Sequence, residues 1–141
     1  RLGALLTQTV LLAMAGCDAD AAGSIPRRAE TRARVVRRAI DFMRAHLHDD
    51  IGVPEVCIAA CASRRTLQYG FEEMLHTTPQ AYLRALRLNE ARRLLKATPG
   101  LPITELASTL GFASASHFTQ HYKRLFDELP SQTVKACGAT G

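Results

Sequence analysis

Ser63-Arg64-Arg65-Thr66-Leu67-Gln68-Tyr69-Gly70-Phe71 decides how this chain is read, because Ser114-Ala115-Ser116-His117-Phe118-Thr119-Gln120-His121-Tyr122 repeats its layout fifty-one residues later. Each stretch opens on a serine suited to N-capping and carries a large apolar residue at its fifth and ninth positions. Each also follows a short, small-residue segment and a tight corner. Two short helices meeting at a corner, written twice, imply a tandem helix-turn-helix, a layout that presents an exposed helix to the major groove of DNA.

The corners support this reading. The second unit has Ala107 and Gly111 four residues apart, with Phe118 seven further on; the first has Cys57 and Cys61 four apart, with Leu67 six further on. Alanine or cysteine lets two helices approach, and glycine accepts positive φ at low cost. Cys61 is the less comfortable corner residue.

Helical periodicity extends outward from the two units. Residues 31–48 are expected to form a helix with Val36, Ala39, Ile40, Met43 and Leu47 inside and with Val35 and Phe42 on the margins. Val53-Pro54-Glu55 opens a helix to Ala60, with Pro54 near the first position, where a missing N–H costs nothing. Ser63 caps the next, through Leu75. Thr77 or Thr78 with Pro79 opens a long helix to Lys96, spanning about 27 Å, which Pro99-Gly100 stops. Helices over 103–110 and from Ser114 to Phe126 follow, and Pro130 starts a last short one. Upstream, residues 3–15 read as a short amphipathic helix and 16–26 (GCDADAAGSIP) as a linker. The expected class is therefore all-α: a seven-helix tandem helix-turn-helix preceded by a short helix and linker. Its expected divisions are a remnant of an upstream domain or a linker over 1–26, a DNA-binding domain over 27–134 and a disordered tail over 135–141.

Bulk composition agrees. The 141 residues are 47% apolar but only 6% aromatic, no alternating run of strand length occurs, and the net charge is +5, which suits a polyanionic partner. Arg27, Arg28, Arg32, Arg34, Arg37 and Arg38 crowd one segment against only Glu30, a solvated face unless it lies beside the recognition helices. Cys17, Cys57, Cys61 and Cys137 form no CxxC pair and read as reduced, inert thiols of a cytoplasmic protein. Arg1 to Cys17 superficially resembles a lipoprotein signal, but Thr7-Gln8-Thr9 interrupts its apolar stretch, so export is not expected. No segment has the roughly 20 apolar residues a membrane span needs.

The wheel separates an inner from an outer face on each recognition helix. Leu67, Phe71, Met74 and Leu75 form one inner stripe; Phe118, Tyr122, Leu125 and Phe126 form the other. Arg65, Tyr69 and Glu72 then face out, flanked by Gln68. Ser116, Gln120 and Lys123 do so in the second helix, flanked by Thr119. Arg65 falls on Ser116, Gln68 on Thr119 and Tyr69 on Gln120 at the same offset. Arginine can bind guanine bidentately, glutamine can read adenine, and Tyr69 can pack on a thymine methyl or reach a phosphate. Ser116 and Thr119 are short, so the second helix should read chiefly through Gln120. Arg64, His117, Lys123 and Arg124 suit phosphates, which position without specifying.

Residues from about 34 to 130 resemble the DNA-binding domain of the AraC/XylS family of bacterial transcription regulators. The resemblance rests on Ile103-Thr104-Glu105-Leu106-Ala107, Gly111-Phe112, Ser116-His117-Phe118, Tyr122-Lys123-Arg124-Leu125-Phe126 and Pro130, together with Ser63 to Leu67 and Phe71. Pro79, Tyr82-Leu83, Arg87-Leu88, Ala91-Arg92 and Leu94-Leu95 match the joining helix. The resemblance implies two units held apart by the long helix and set to two major grooves about 34 Å apart. It implies base contacts at Arg65, Gln68 and Tyr69 and at Ala115, Ser116 and Gln120; Ser114, which caps the second helix, joins the contact set. It further implies double-stranded DNA and RNA polymerase as partners, an activating role, and a ligand-sensing or dimerising domain upstream of Arg1. The family usually has glycine where Cys61, His76 and Asp127 stand, and an aromatic residue and arginine where Thr133 and Val134 stand.

An enzyme is not expected. Asp49 and Asp50 follow His46 and His48 at a helix end without an apolar pocket, and no Ser/His/Asp or phosphate-cradling glycine signature appears. His117 and His121 stand one turn apart, as zinc ligands can, but without a third ligand nearby; neither metal nor cofactor is expected. The competing class is a helical protein-interaction module that has lost DNA binding, for which Arg65 and Gln68 would be dispensable.

Overall fold

Seven helices make up residues 25–138, the part of the chain that the computed structural model describes, and no strand occurs among them. They are α1 (Ile25–Ala45), α2 (Val53–Ala60), α3 (Arg64–Leu75), α4 (Pro79–Ala97), α5 (Ile103–Thr109), α6 (Ala115–Phe126) and α7 (Pro130–Gly138). The expected 3–15 helix and most of the expected linker lie outside the described residues. Two compact units divide between Leu83 and Arg84, inside α4.

In the first unit α1 packs against both α2 and α3. It starts earlier than expected, at Ile25, since alanine and arginine favour helix through the segment 27–34. It stops at Ala45 rather than His48, where the His46 Nδ1 meets Asp49 Oδ2 at 2.6 Å and the His46 ring lies 4.4 Å from that of Phe42. Serving two partners widens its buried arc. Val35 and Phe42, expected on the margins, are buried with Val36, Ala39 and Met43, whereas Ile40 and Leu47 are only half-buried. Gly70 supplies the close approach between α1 and α3: a Cβ there would lie 2.9 Å from Val36 Cγ2.

Leu67 and Phe71 are fully buried, as are Phe118 and Tyr122 at the same offset. The inner stripes end sooner than the wheel implied. Met74, Leu75 and Leu125 are exposed at 46%, 39% and 46%, and Phe126 is half-buried. The recognition helices have 12 residues each against 8 in α2 and 7 in α5, so the shorter partner cannot cover their last turn.

The corners differ by one residue. Ala62 donates to Cys57 O at 3.1 Å and Phe112 to Ala107 O at 2.9 Å, the same closure fifty residues apart. Cys61 (φ 56) and Gly111 (φ 78) supply the left-handed residue. Ala113 is then the extra residue before the second cap, and Phe112 beside it packs edge-on against Phe118, centroids 5.1 Å apart. Cys61 is disulfide-bonded, contrary to the reduced thiol expected, and sits half-buried at the corner. Cys57 and Cys137 are free thiols, and burial pushes the Cys57 thiol up.

The second unit buries Leu88, Ala91 and Leu95 of α4 with Leu106, Ala107, Leu110, Phe118 and Tyr122, and Val134 packs on this cluster. Thr133 is 3% exposed; its hydroxyl accepts from Tyr122 Oη at 2.6 Å and donates to Glu128 Oε1 at 2.7 Å. That hydrogen-bond chain, buried at Tyr122 and Thr133, docks α7, which runs to Gly138, so residues 135–138 of the expected disordered tail are helical.

Candidate nucleic-acid interface

Both recognition helices begin on a serine cap of the same kind. Ser63 Oγ accepts from Thr66 N–H and Ser114 Oγ from His117 N–H, each at 3.1 Å. Each cap satisfies one of the orphan donors of a helix start and fixes where the outer face begins. Because the buried stripe is anchored by Leu67 and Phe71 in α3 and by Phe118 and Tyr122 in α6, the opposite sides are turned to solvent.

In α3, Arg64, Arg65, Gln68 and Tyr69 are all exposed and, with Glu72, line one open depression of about 490 Å³. Arg65 is steadied there: its guanidinium carbon lies 5.5 Å from the Tyr69 ring centroid and its Nη2 3.5 Å from Tyr69 Oη. An exposed contact of this kind contributes on the order of 0.5–1 kcal/mol and reduces the side-chain ordering left to be done on binding.

In α6, Ser114, Ser116, His117, Gln120, Lys123 and Arg124 are exposed, whereas Ala115 and Thr119 are half-buried. The Thr119 hydroxyl donates to Ala115 O at 2.8 Å, so its proton is committed to the backbone. His117 Nε2 lies 3.1 Å from His121 Nε2, and His121 Nδ1 lies 3.5 Å from Arg84. Burial first, then the Arg84, His117 and Arg124 charges, hold the His121 pKa below the ordinary imidazole value. The second face therefore carries Gln120, two cations and short side chains.

The arginine-rich helix does lie beside the first recognition helix: Arg32 of α1 pairs with Glu73 of α3. Arg34, Arg37, Arg38 and Arg44 are exposed along α1. His46 and Asp49 pair locally at the end of α1 and belong to its turn. No helix among the described residues is long and apolar enough to cross a membrane. Glu72 is the lining residue absent from the expected contact set; its acidic charge hid it, although the wheel had placed it on the outer face.

Comparison with known proteins agrees with this geometry. The family model described as "Helix-turn-helix domain" matches residues 56–136. A probable thc operon regulatory protein of Rhodococcus erythropolis is 36% identical over 103 residues, covering 72% of this chain and 31% of that protein. The XylDLEGF operon transcriptional activator of Pseudomonas putida is 32% identical over 102 residues, 71% of this chain and 32% of that protein. The chain thus spans about a third of the length of these curated relatives. Among solved structures, the DNA-binding domain of AdpA in complex with a target DNA is similar with a TM-score of 0.67 and 27% identity, over 74% of this chain and 94% of that one. With the matched domain, the relatives and the repeated capped helices in agreement, the chain belongs to the AraC-type helix-turn-helix family of DNA-binding transcription regulators.

Proposed function

We propose that this chain is the DNA-binding part of a bacterial activator and that α3 and α6 enter successive major grooves of one duplex. Arg65, Gln68 and Tyr69 read bases from α3; Ala115, Ser116 and Gln120 do so from α6, with Thr119 in a packing role. Arg64, Ser114, His117, Lys123 and Arg124 hold phosphates. The observation that carries this reading is the exposure of Gln68 and Gln120 on faces that repeat, capped serine by capped serine, at one offset.

Residues 27–134 act as the DNA-binding domain and 1–26 as the remnant or linker of an upstream sensing or dimerising domain. On this reading RNA polymerase is the second partner, the location is cytoplasmic and the protein is a regulator rather than an enzyme; the operon regulators it resembles support the regulatory role. A random-duplex selection followed by a protection footprint tests the reading. Two protected grooves on one face, about one helical turn apart, are expected; a single contacted groove overturns it.

A further inference from the structure

We infer that Glu72 is a base-reading residue of α3, accepting a hydrogen bond in the major groove from an exocyclic amino group, cytosine N4 or adenine N6. This rests on the proposed insertion of α3 and assigns to it a residue outside the expected contact set.

Glu72 lies seven residues after Arg65, two turns on and within about 20° of it around the helix. It lines the same depression as Arg64, Arg65, Gln68 and Tyr69. It is exposed; no lysine or arginine stands three or four residues away to form the intrahelical pair that usually explains an outward glutamate, and His76, four residues on, makes no ion pair with it. Its neighbour Glu73 does have such an explanation, because Arg32 of α1 pairs with it. Arg65 is engaged by Tyr69. The Glu72 carboxylate is thus left without an ion-pair partner among the described residues, on the face that meets DNA.

A carboxylate carried toward a phosphate-lined groove is repelled by arbitrary DNA. It is an acceptor only, so the base edges that satisfy it are those with an amino donor, and guanine and thymine edges offer none in the major groove. The residue would therefore lower affinity for all sequences and restore it for one base at one position, which is a specificity device built on repulsion as much as on attraction. The other unit lacks it: Lys123 occupies the corresponding place fifty-one residues later. The two half-sites should accordingly differ, one read with an acidic acceptor and the other gripped by a cation.

The 141-residue chain tests this directly, by selection from random duplexes and by titration of the selected and a scrambled duplex, for wild type, Glu72→Ala, Glu72→Lys and Arg65→Ala. For Glu72→Ala the expected result is loss of one amino-bearing base from the selected profile. The scrambled duplex should bind more tightly, and the ratio of selected to scrambled affinity should fall roughly tenfold or more. Glu72→Lys should tighten the scrambled duplex further. Whether the lost base is cytosine or adenine distinguishes the two donors. An unchanged Glu72→Ala profile beside an altered Arg65→Ala profile overturns the role of Glu72 alone. Unchanged profiles in both overturn the base-reading role of α3, and this inference with it. An unaltered thermal melt of Glu72→Ala, an exposed helical substitution, excludes misfolding as the source of either result.

Discussion

His76 and Asp127 end α3 and α6 fifty-one residues apart in the same way. Each sits in the left-handed region, at φ 54 and 56, with its N–H bonded to the carbonyl four residues back, Glu72 at 3.1 Å and Lys123 at 2.8 Å. Glycine occupies such positions without the Cβ clash.

His76→Gly and Asp127→Gly should therefore each stabilise the chain by about 1 kcal/mol. Because the two sites lie in different units, their effects should add. Thermal melts of the single and double variants check both; a lowered midpoint in either would show that the native side chain stabilises its corner.

Arg65→Ala should cost about 1–3 kcal/mol on the cognate duplex and relax discrimination at one base pair. Titrations on cognate and scrambled duplexes measure it. Equal losses on both would remove Arg65 from the base-reading set.

Lys123→Ala and Arg124→Ala should weaken binding to every sequence alike. Each should also flatten the dependence of log K on log salt by about one unit. A salt series on scrambled DNA reads this, and an unchanged slope would show that neither side chain contacts phosphate.

Thr133→Val should destabilise the second unit by about 1–3 kcal/mol, because it strands the buried Tyr122 hydroxyl. Adding Tyr122→Phe should recover much of that loss, since it removes the stranded group. Urea midpoints of the two singles and the double form the cycle; strict additivity would mean the two hydroxyls are energetically uncoupled.

Acid should weaken the second unit through His121. Its pKa is lowered in the folded state by burial and by the Arg84, His117 and Arg124 charges, so the unfolded chain binds more protons as pH falls. The penalty is absent above the ordinary imidazole pKa of about 6.5 and grows as pH drops below it. His121→Gln should flatten stability between about pH 7.5 and 5 relative to the wild type. A parallel decline in both proteins would show that the acid sensitivity arises elsewhere.

The outer faces were legible from spacing because burial of Leu67 and Phe71, or of Phe118 and Tyr122, leaves Arg65, Gln68, Tyr69, Ser116 and Gln120 nowhere to point but outward. Several helix starts were legible too, since Ser63, Ser114, Pro79 and Pro130 act on the backbone locally, whereas both ends of α1 and the end of α7 were not. The positive φ of Cys61, His76 and Asp127 matched the three positions where the family resemblance expected glycine.

Residue order along the chain was enough to determine that seven helices form, the two serine caps and the repeated outward face, because each depends on interactions within about one turn; the limits of α1 and the end of α7 were not determined by it. Packing settled the rest: that Met74, Leu75 and Leu125 stay exposed, that Val35 and Phe42 turn inward, and that Gly70 brings α1 against α3. Periodicity reports the angle of a side chain around its own axis. It does not report how far a neighbouring helix extends alongside, and burial depends on both.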